Sequence, residues 1–248
     1  MVCVLHVKQE FKDIKIILLG DFNQLPPVEN ENRSYENSLM LKELSDFNRI
    51  TLTKCVRGDD AVFKAGLQVL SDGEIPSTVS MRRKISQINL CFTNKMRKYI
   101  NSVFMKKNQD KIHLKITDYI DEKIDEKSNL QNDHIAFDGE PVIAIINNKK
   151  ENYYNSEKYT VKKIGPTEII LLGEPNEEGE QKEKVVNTEQ FFKDFVPSYA
   201  TTVHKAQGKT LRIPFTIFEW EKMRDKKMKY VAISRATKIE NINIYPAV

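Results

Sequence analysis

Residues 14–19, Ile-Lys-Ile-Ile-Leu-Leu, form a short and nearly continuous apolar run that ends in Gly20-Asp21. A strand with one solvated face alternates, whereas a strand buried on both faces of a parallel sheet does not. The run therefore predicts a buried strand of an open α/β sheet, with its C-terminal end marked by the turn. Ligands in such sheets bind just beyond the strand ends. That places Asp21-Phe22-Asn23-Gln24-Leu25-Pro26-Pro27 in a functional loop, where the double proline prevents a helix.

The same texture recurs. Ile88–Asn94 (INLCFTN) reads as a second buried strand, followed by a basic amphipathic helix from Lys95 to about Met105. Between Asp59 and Leu70, Val62, Phe63, Leu67 and Leu70 recur at helical spacing, with Gly73 as terminator. After Pro197 come PSYATTV, a turn, PFTIFEW, a helix around 221–235 and a last strand, NINIYP.

Residues 139–195 differ. Short runs (PVIAII, KYTVKKI, EIILLG, KVVN) alternate with turn-rich pieces, the signature of a small β-barrel or curled sheet. The acidic stretch Glu174–Glu183 reads as a solvated hairpin tip. Asn155-Ser156 stands where a turn asks for Asn-Gly, because glycine supplies positive φ more easily. Residues 106–134 are too charged and weakly patterned for assignment. A β module interrupting an α/β domain is the simplest architecture.

The 248 residues can bury a sizeable core. No apolar run approaches the roughly 20 residues needed to span a bilayer, so no membrane partner is expected. The N-terminus shows no signal-peptide pattern. Cys3, Cys55 and Cys91 are odd in number, widely spaced and without a C-x-x-C pair, which argues against a disulfide framework and a zinc site and for an intracellular, reducing compartment. A net charge of +4 permits a polyanionic partner without demanding one.

Three segments carry the chemistry: Gly20-Asp21-Phe22-Asn23-Gln24-Leu25-Pro26-Pro27-Val28, Tyr199 through Leu211 (YATTVHKAQGKTL), and Tyr230 through Thr237 (YVAISRAT). In this order they resemble motifs III, V and VI of superfamily-one helicases, in particular the 5′-to-3′ branch of Pif and RecD/Dda-like enzymes. Arg57, in LTKCVRGDDAVF, resembles the motif IV arginine. Gly58 and Ala206 depart from that family's usual Gln and Ser.

The resemblance implies that ATP sits between two RecA-like lobes and that groups from both reach its γ-phosphate. Gly20, Asp21 and Gln24 would face the nucleotide from one side, and Gln207, Gly208 and Arg235 from the other. Gln24 would bond the phosphate or the attacking water. Arg57 and Arg235 would be arginine fingers, whose planar charge matches phosphate geometry. Thr202, His204 and Lys205, with Thr93 and Asn94, would touch a single DNA strand through its backbone, without reading sequence. RNA is the weaker alternative substrate. The implied lobes are the end of lobe 1A (1–50), lobe 2A in two parts (51–135 and 196–248), and an SH3-like 2B insertion (136–195). Within the insertion, Phe137, Tyr153 and Tyr154 are candidates for base stacking, with core packing the stronger alternative.

Gly208-Lys209-Thr210 mimics the end of a phosphate-binding loop, but the first glycine would fall on Val203. The 248 residues contain neither that loop nor the acidic motif that holds Mg²⁺. ATP and Mg²⁺ are therefore expected only with a lobe that supplies both, encoded in frame upstream of Met1 or separately. The chain alone is expected to be inactive. The competing expectation is a non-catalytic fragment that binds nucleic acid or a helicase partner.

Overall fold

The computed structural model describes residues 6–8, 10, 11, 13–26, 36–53, 55–120, 128–176 and 178–247. Expectations resting on Met1–Leu5 and on Pro27 and Val28 lie outside them.

One sheet is wholly parallel. Its strands are β1 (Ser80–Met81), β2 (Ile88–Cys91), β10 (Ala200–Thr202), β11 (Phe215–Ile217) and β12 (Ile242–Ile244), in the order β1-β12-β11-β2-β10. Thr202 pairs with Cys91, and Thr216 with both Asn89 and Asn243. Helices cover both faces, as the continuous apolar runs require. Helices α2 (Asp60–Ser71) and α6 (Lys226–Ile233) pack on one face with Leu90, Phe215, Ile217 and Ile244. Helix α3 (Asn94–Lys107) packs on the other, where Ile100 meets Cys91, Ala200 and Phe218. This is the RecA-like α/β arrangement that the resemblance implies.

The buried face of α2 is Val62, Ala65, Gly66 and Val69; of the expected residues Val62 is buried, while Phe63 and Leu70 are only half-buried. Leu67 is exposed. The small residues win because α2 lies close against α6: a Cβ at Gly66 would stand 3.1 Å from the Tyr230 ring. The single helix expected around 221–235 is also divided. A 3₁₀ turn, Trp220–Lys222, precedes α6, and the Asp225 side chain caps α6 by accepting from Lys227 N–H.

The second sheet is antiparallel, in the order β8-β7-β6-β5-β9. Its strands are β5 (Pro141–Ala144), β6 (Lys158–Ile164), β7 (Glu168–Gly173), β8 (Glu183–Asn187) and β9 (Phe195–Pro197), with helix α4 (Thr188–Asp194) between the last two. Strand pairing ends at β8 and β9. Its core is aromatic, with Phe191, Phe192, Phe195, Tyr153 and Tyr159 around Val161, Ile169 and Leu171. The pair β3 (Leu114–Lys115) and β4 (Ile135–Ala136) lies before it, and β10 follows at once. Thus β2 and β10, neighbours in the parallel sheet, straddle the whole antiparallel sheet in sequence.

The run at 14–19 does not form the expected strand. Ile14–Leu19 has no regular structure, and Ile17 and Leu19 are 81% and 91% exposed. Strand geometry is a property of pairing, and no strand lies beside this run among the described residues. Helix α1 (Leu39–Leu44) then leads to the exposed segment 47–53.

Candidate functional site

The loop after the unpaired run folds on Asp21. Its carboxylate accepts from Asn23 N–H at 2.9 Å and from the Gln24 amide at 3.1 Å, and Gln24 N–H reaches the Asp21 carbonyl at 3.1 Å. A short polar side chain that bonds the backbone two residues ahead is the usual reason for such a turn. The turn then meets the parallel-sheet unit. Tyr230 Oη donates to Asp21 Oδ2 at 3.5 Å, and Gln207 Nε2 donates to Gln24 Oε1 at 3.4 Å.

Around this meeting point lies a small cleft of about 70 Å³, lined by Asp21, Gln24, Cys55, Arg57, Tyr230 and Arg235 among others. Four of the expected nucleotide-side residues are thus brought together: Asp21, Gln24, Arg57 and Arg235. Gln207 touches the cleft through Gln24. Gly20 and Gly208 do not line it; Gly20 faces open space, and Gly208 turns the chain at φ +84°. Tyr230 is a cleft residue that the sequence pattern gave no reason to single out.

Arg57 reaches the cleft from an exposed loop anchored to the end of α6. Asp59 N–H donates to Thr237 O, and the Asp59 side chain caps α2 at Val62. A Cβ at Gly58 would stand 3.0 Å from Ala236 O, so the glycine permits this close contact.

Arg235 is fully buried. It donates to Val231 O (3.0 Å), Lys209 O (3.2 Å) and Ser234 Oγ (2.9 Å). Three of its five N–H donors are therefore held by neighbouring groups of the parallel-sheet unit, leaving two for a ligand. Burial and then the like charge of Arg57 lower its pKa to about 10. Two guanidinium groups sharing one small cleft repel each other unless an anion lies between them. Asp21 is the carboxylate in this lining, and its oxygens already accept from Asn23, Gln24 and Tyr230, so the donors suit a phosphate better than a metal ion.

The expected nucleic-acid residues collect elsewhere, beyond the ends of the adjacent strands β2 and β10. Thr202 is buried and caps the short helix α5 (Val203–Ala206), accepting from Lys205 N–H. Thr93 caps α3 by accepting from Met96 N–H, while its own N–H and hydroxyl both donate to Glu219 Oε2 at 2.9 Å. Glu219 has φ +60°, a conformation that costs a non-glycine residue strain. Both threonine hydroxyls are therefore engaged in holding the strand ends. Asn94, His204 and Lys205 are the exposed members of the set. Partial desolvation of this otherwise exposed side chain, and then the nearby Arg97 charge, push the Lys205 ammonium below the usual lysine range.

Of the three aromatic candidates for stacking, Tyr153 and Phe137 are buried in the core and Tyr154 is exposed. Among the described residues, no helix is long and apolar enough to cross a membrane.

No protein-family model matches the chain. A curated relative, the ATP-dependent DNA helicase Pif1 of Campylobacter jejuni, is 28% identical over 282 aligned positions, which cover 93% of this chain and 62% of the relative. The fold is similar to that of Bacteroides Pif1 bound to single-stranded DNA, with a TM-score of 0.61, 20% identity and coverage of 95% of this chain and 63% of that one. It is also similar to Pif1 helicase from Candida albicans, at a TM-score of 0.62, 17% identity and coverage of 92% and 63%. The chain thus spans a little under two thirds of the length of the relatives it matches.

Proposed function

We propose that this chain, whose sequence and fold relate it to the C-terminal part of a Pif1-like superfamily-one helicase, is the strand-gripping and phosphate-sensing portion of an ATP-dependent DNA motor. The observation that carries this reading is the cleft in which the Asp21–Gln24 turn meets Arg57 and Arg235. In the motor, residues 1–50 belong to one RecA-like lobe, 51–135 and 196–248 to the second, and 136–195 to an SH3-like insertion.

Gln24 offers a neutral amide to the γ-phosphate or to its attacking water. Arg57 and Arg235 meet the charge that develops as the phosphoryl group transfers. Through its bond to Gln207, Gln24 reaches the turn after α5, which carries His204 and Lys205. A change at the phosphate is thereby passed to the groups that hold single-stranded DNA. Mg²⁺, when bound, neutralises phosphate charge, and its ligands belong to the acidic motif that these 248 residues lack.

The inward hydrogen bonds of Arg235 favour a second reading, a binding module without turnover. An ATPase assay with and without a lobe carrying the phosphate loop separates the two: DNA-stimulated turnover that appears only with that lobe supports the motor. Strand gripping is tested on the chain alone by fluorescence anisotropy with labelled oligothymidylate at low salt. Replacing His204 and Lys205 with Ala should weaken binding equally for all sequences and flatten the salt dependence, by roughly 0.7 in log–log slope per lost contact. Unchanged affinity would remove them from the interface.

A further inference from the structure

The Lys209 side chain has no part in the function proposed above, yet its surroundings are unusual. Its backbone is fixed beside Arg235. Lys209 N–H bonds Ala206 O, the Lys209 carbonyl accepts from Arg235 Nη1, and Leu211 forms a parallel bridge with Ala236. Its side chain leaves in another direction. The ammonium is enclosed and has no hydrogen-bond partner among the described residues.

The charges that act on the Lys209 ammonium are those of Lys158 at the start of β6, Glu174 just after β7, and Lys205 on α5. Three lysines thus share one carboxylate. That carboxylate is largely exposed and lies 3.9 Å from Lys158. Lys158 and Glu174 also line a cleft of about 470 Å³ between the two sheets, with Gln87, Tyr159, Tyr199 and Ile213; Lys209 is not part of that lining, its ammonium being enclosed. Withdrawing an ammonium from water without a partner destabilises a fold in general. Burial, and then Lys158, push it below the usual lysine range. A fold that spends stability on an enclosed, unpaired cation amid other cations is prepared for an anion.

We propose that Lys209, with Lys158, is a phosphate-binding site at the seam between the two sheets, taking a backbone phosphate of the single strand whose neighbouring phosphates lie on His204 and Lys205. The site rests on the nucleic-acid reading for the identity of its ligand but not for its preference for an anion. It extends the grip from the parallel sheet to the antiparallel one. Because the same residue's carbonyl holds Arg235, it ties strand occupancy to the position of that guanidinium.

The test uses the full chain, with oligothymidylate binding by anisotropy and thermal melting with and without inorganic phosphate. Lys209→Met should lower oligothymidylate affinity about tenfold, the worth of one charge-assisted hydrogen bond, and flatten the salt slope by roughly 0.7. Lys209→Arg should retain both, and Glu174→Gln should strengthen binding. Inorganic phosphate should raise the melting temperature of the unsubstituted chain and of Lys209→Arg, but not of Lys209→Met. Without ligand, Lys209→Met should melt no lower than the parent, since it removes an unpaired buried charge.

If no oligothymidylate binds but the phosphate effect depends on Lys209, the anion site stands and the nucleic-acid reading falls. Phosphate stabilisation that Lys209→Met leaves intact overturns the proposal, as does a marked drop in that variant's own melting temperature.

Discussion

The two five-stranded sheets divide the molecule's work unequally. In the parallel sheet every strand ends on the same side, so the segments after β2, β10 and β11 gather at one edge. Thr93, Asn94, Thr202, His204, Lys205 and Glu219 all come from those ends. In the antiparallel sheet successive strands end on opposite sides, and the interior is filled by Phe191, Phe192 and Phe195. One topology concentrates loop chemistry; the other disperses it and contributes a stiff apolar body. Its titratable groups show the difference. His134 Nε2 and Glu140 Oε1 stand 2.9 Å apart with both side chains wholly buried, leaving His134 Nδ1 and Glu140 Oε2 without hydrogen-bond partners among the described residues.

This contrast can be broken by substitution. In a preparation that supplies the phosphate loop, Arg235→Ala should lower steady-state ATP turnover by ~10³–10⁵-fold while sparing DNA affinity. Near-normal turnover would place Arg235 among structural arginines. In the antiparallel core, Phe195→Ala should cost about 3–5 kcal/mol of unfolding free energy in denaturant titrations. The affinity of the folded fraction for oligothymidylate should hardly change, and a matching loss of affinity would show that the aromatic core shapes the groups that hold the strand.

A pH series sharpens the comparison. Burial raises the Glu140 carboxyl above its ordinary value of 4.5, with His134 opposing the shift. A carboxyl raised in the folded state favours folding below that ordinary value and loses its contribution as pH rises through the folded one. Glu140→Gln should therefore remove a fall in stability toward neutral pH, measured by chemical denaturation. Identical profiles for the two proteins would deny Glu140 this role.

The smallest effect concerns a turn. Ser156 adopts φ +74°, which a side chain tolerates poorly. Ser156→Gly should stabilise the protein by up to about 1 kcal/mol, after the entropy lost to glycine's freer unfolded chain is deducted. A destabilised variant would mean that the serine side chain contributes more than its backbone costs.

Much of this was legible beforehand because the governing physics is local. Apolar runs gave β2, β10, β11 and β12, and turn-rich spacing gave β5 through β8. The Asn155-Ser156 turn is where its residue types placed it, and Gly73 follows α2 at φ +81°. The motifs named Gln24, Arg57 and Arg235 before any geometry joined them. What failed was what depends on neighbours. The run at 14–19 has strand composition but no strand beside it, and the buried face of α2 was decided by how closely α6 approaches at Gly66.

The sequence by itself thus determined the types of those elements whose signals are local, and the residues that carry charge, since periodicity, turn chemistry and motif spacing act within a few residues. The tertiary structure alone decided which of those residues meet. Tyr230 beside Asp21, Thr93 committed to Glu219, and Lys209 enclosed near Lys158 join positions far apart in the chain. No local signal encodes such pairs, because burial and charge proximity exist only once the sheets have brought their strand ends together.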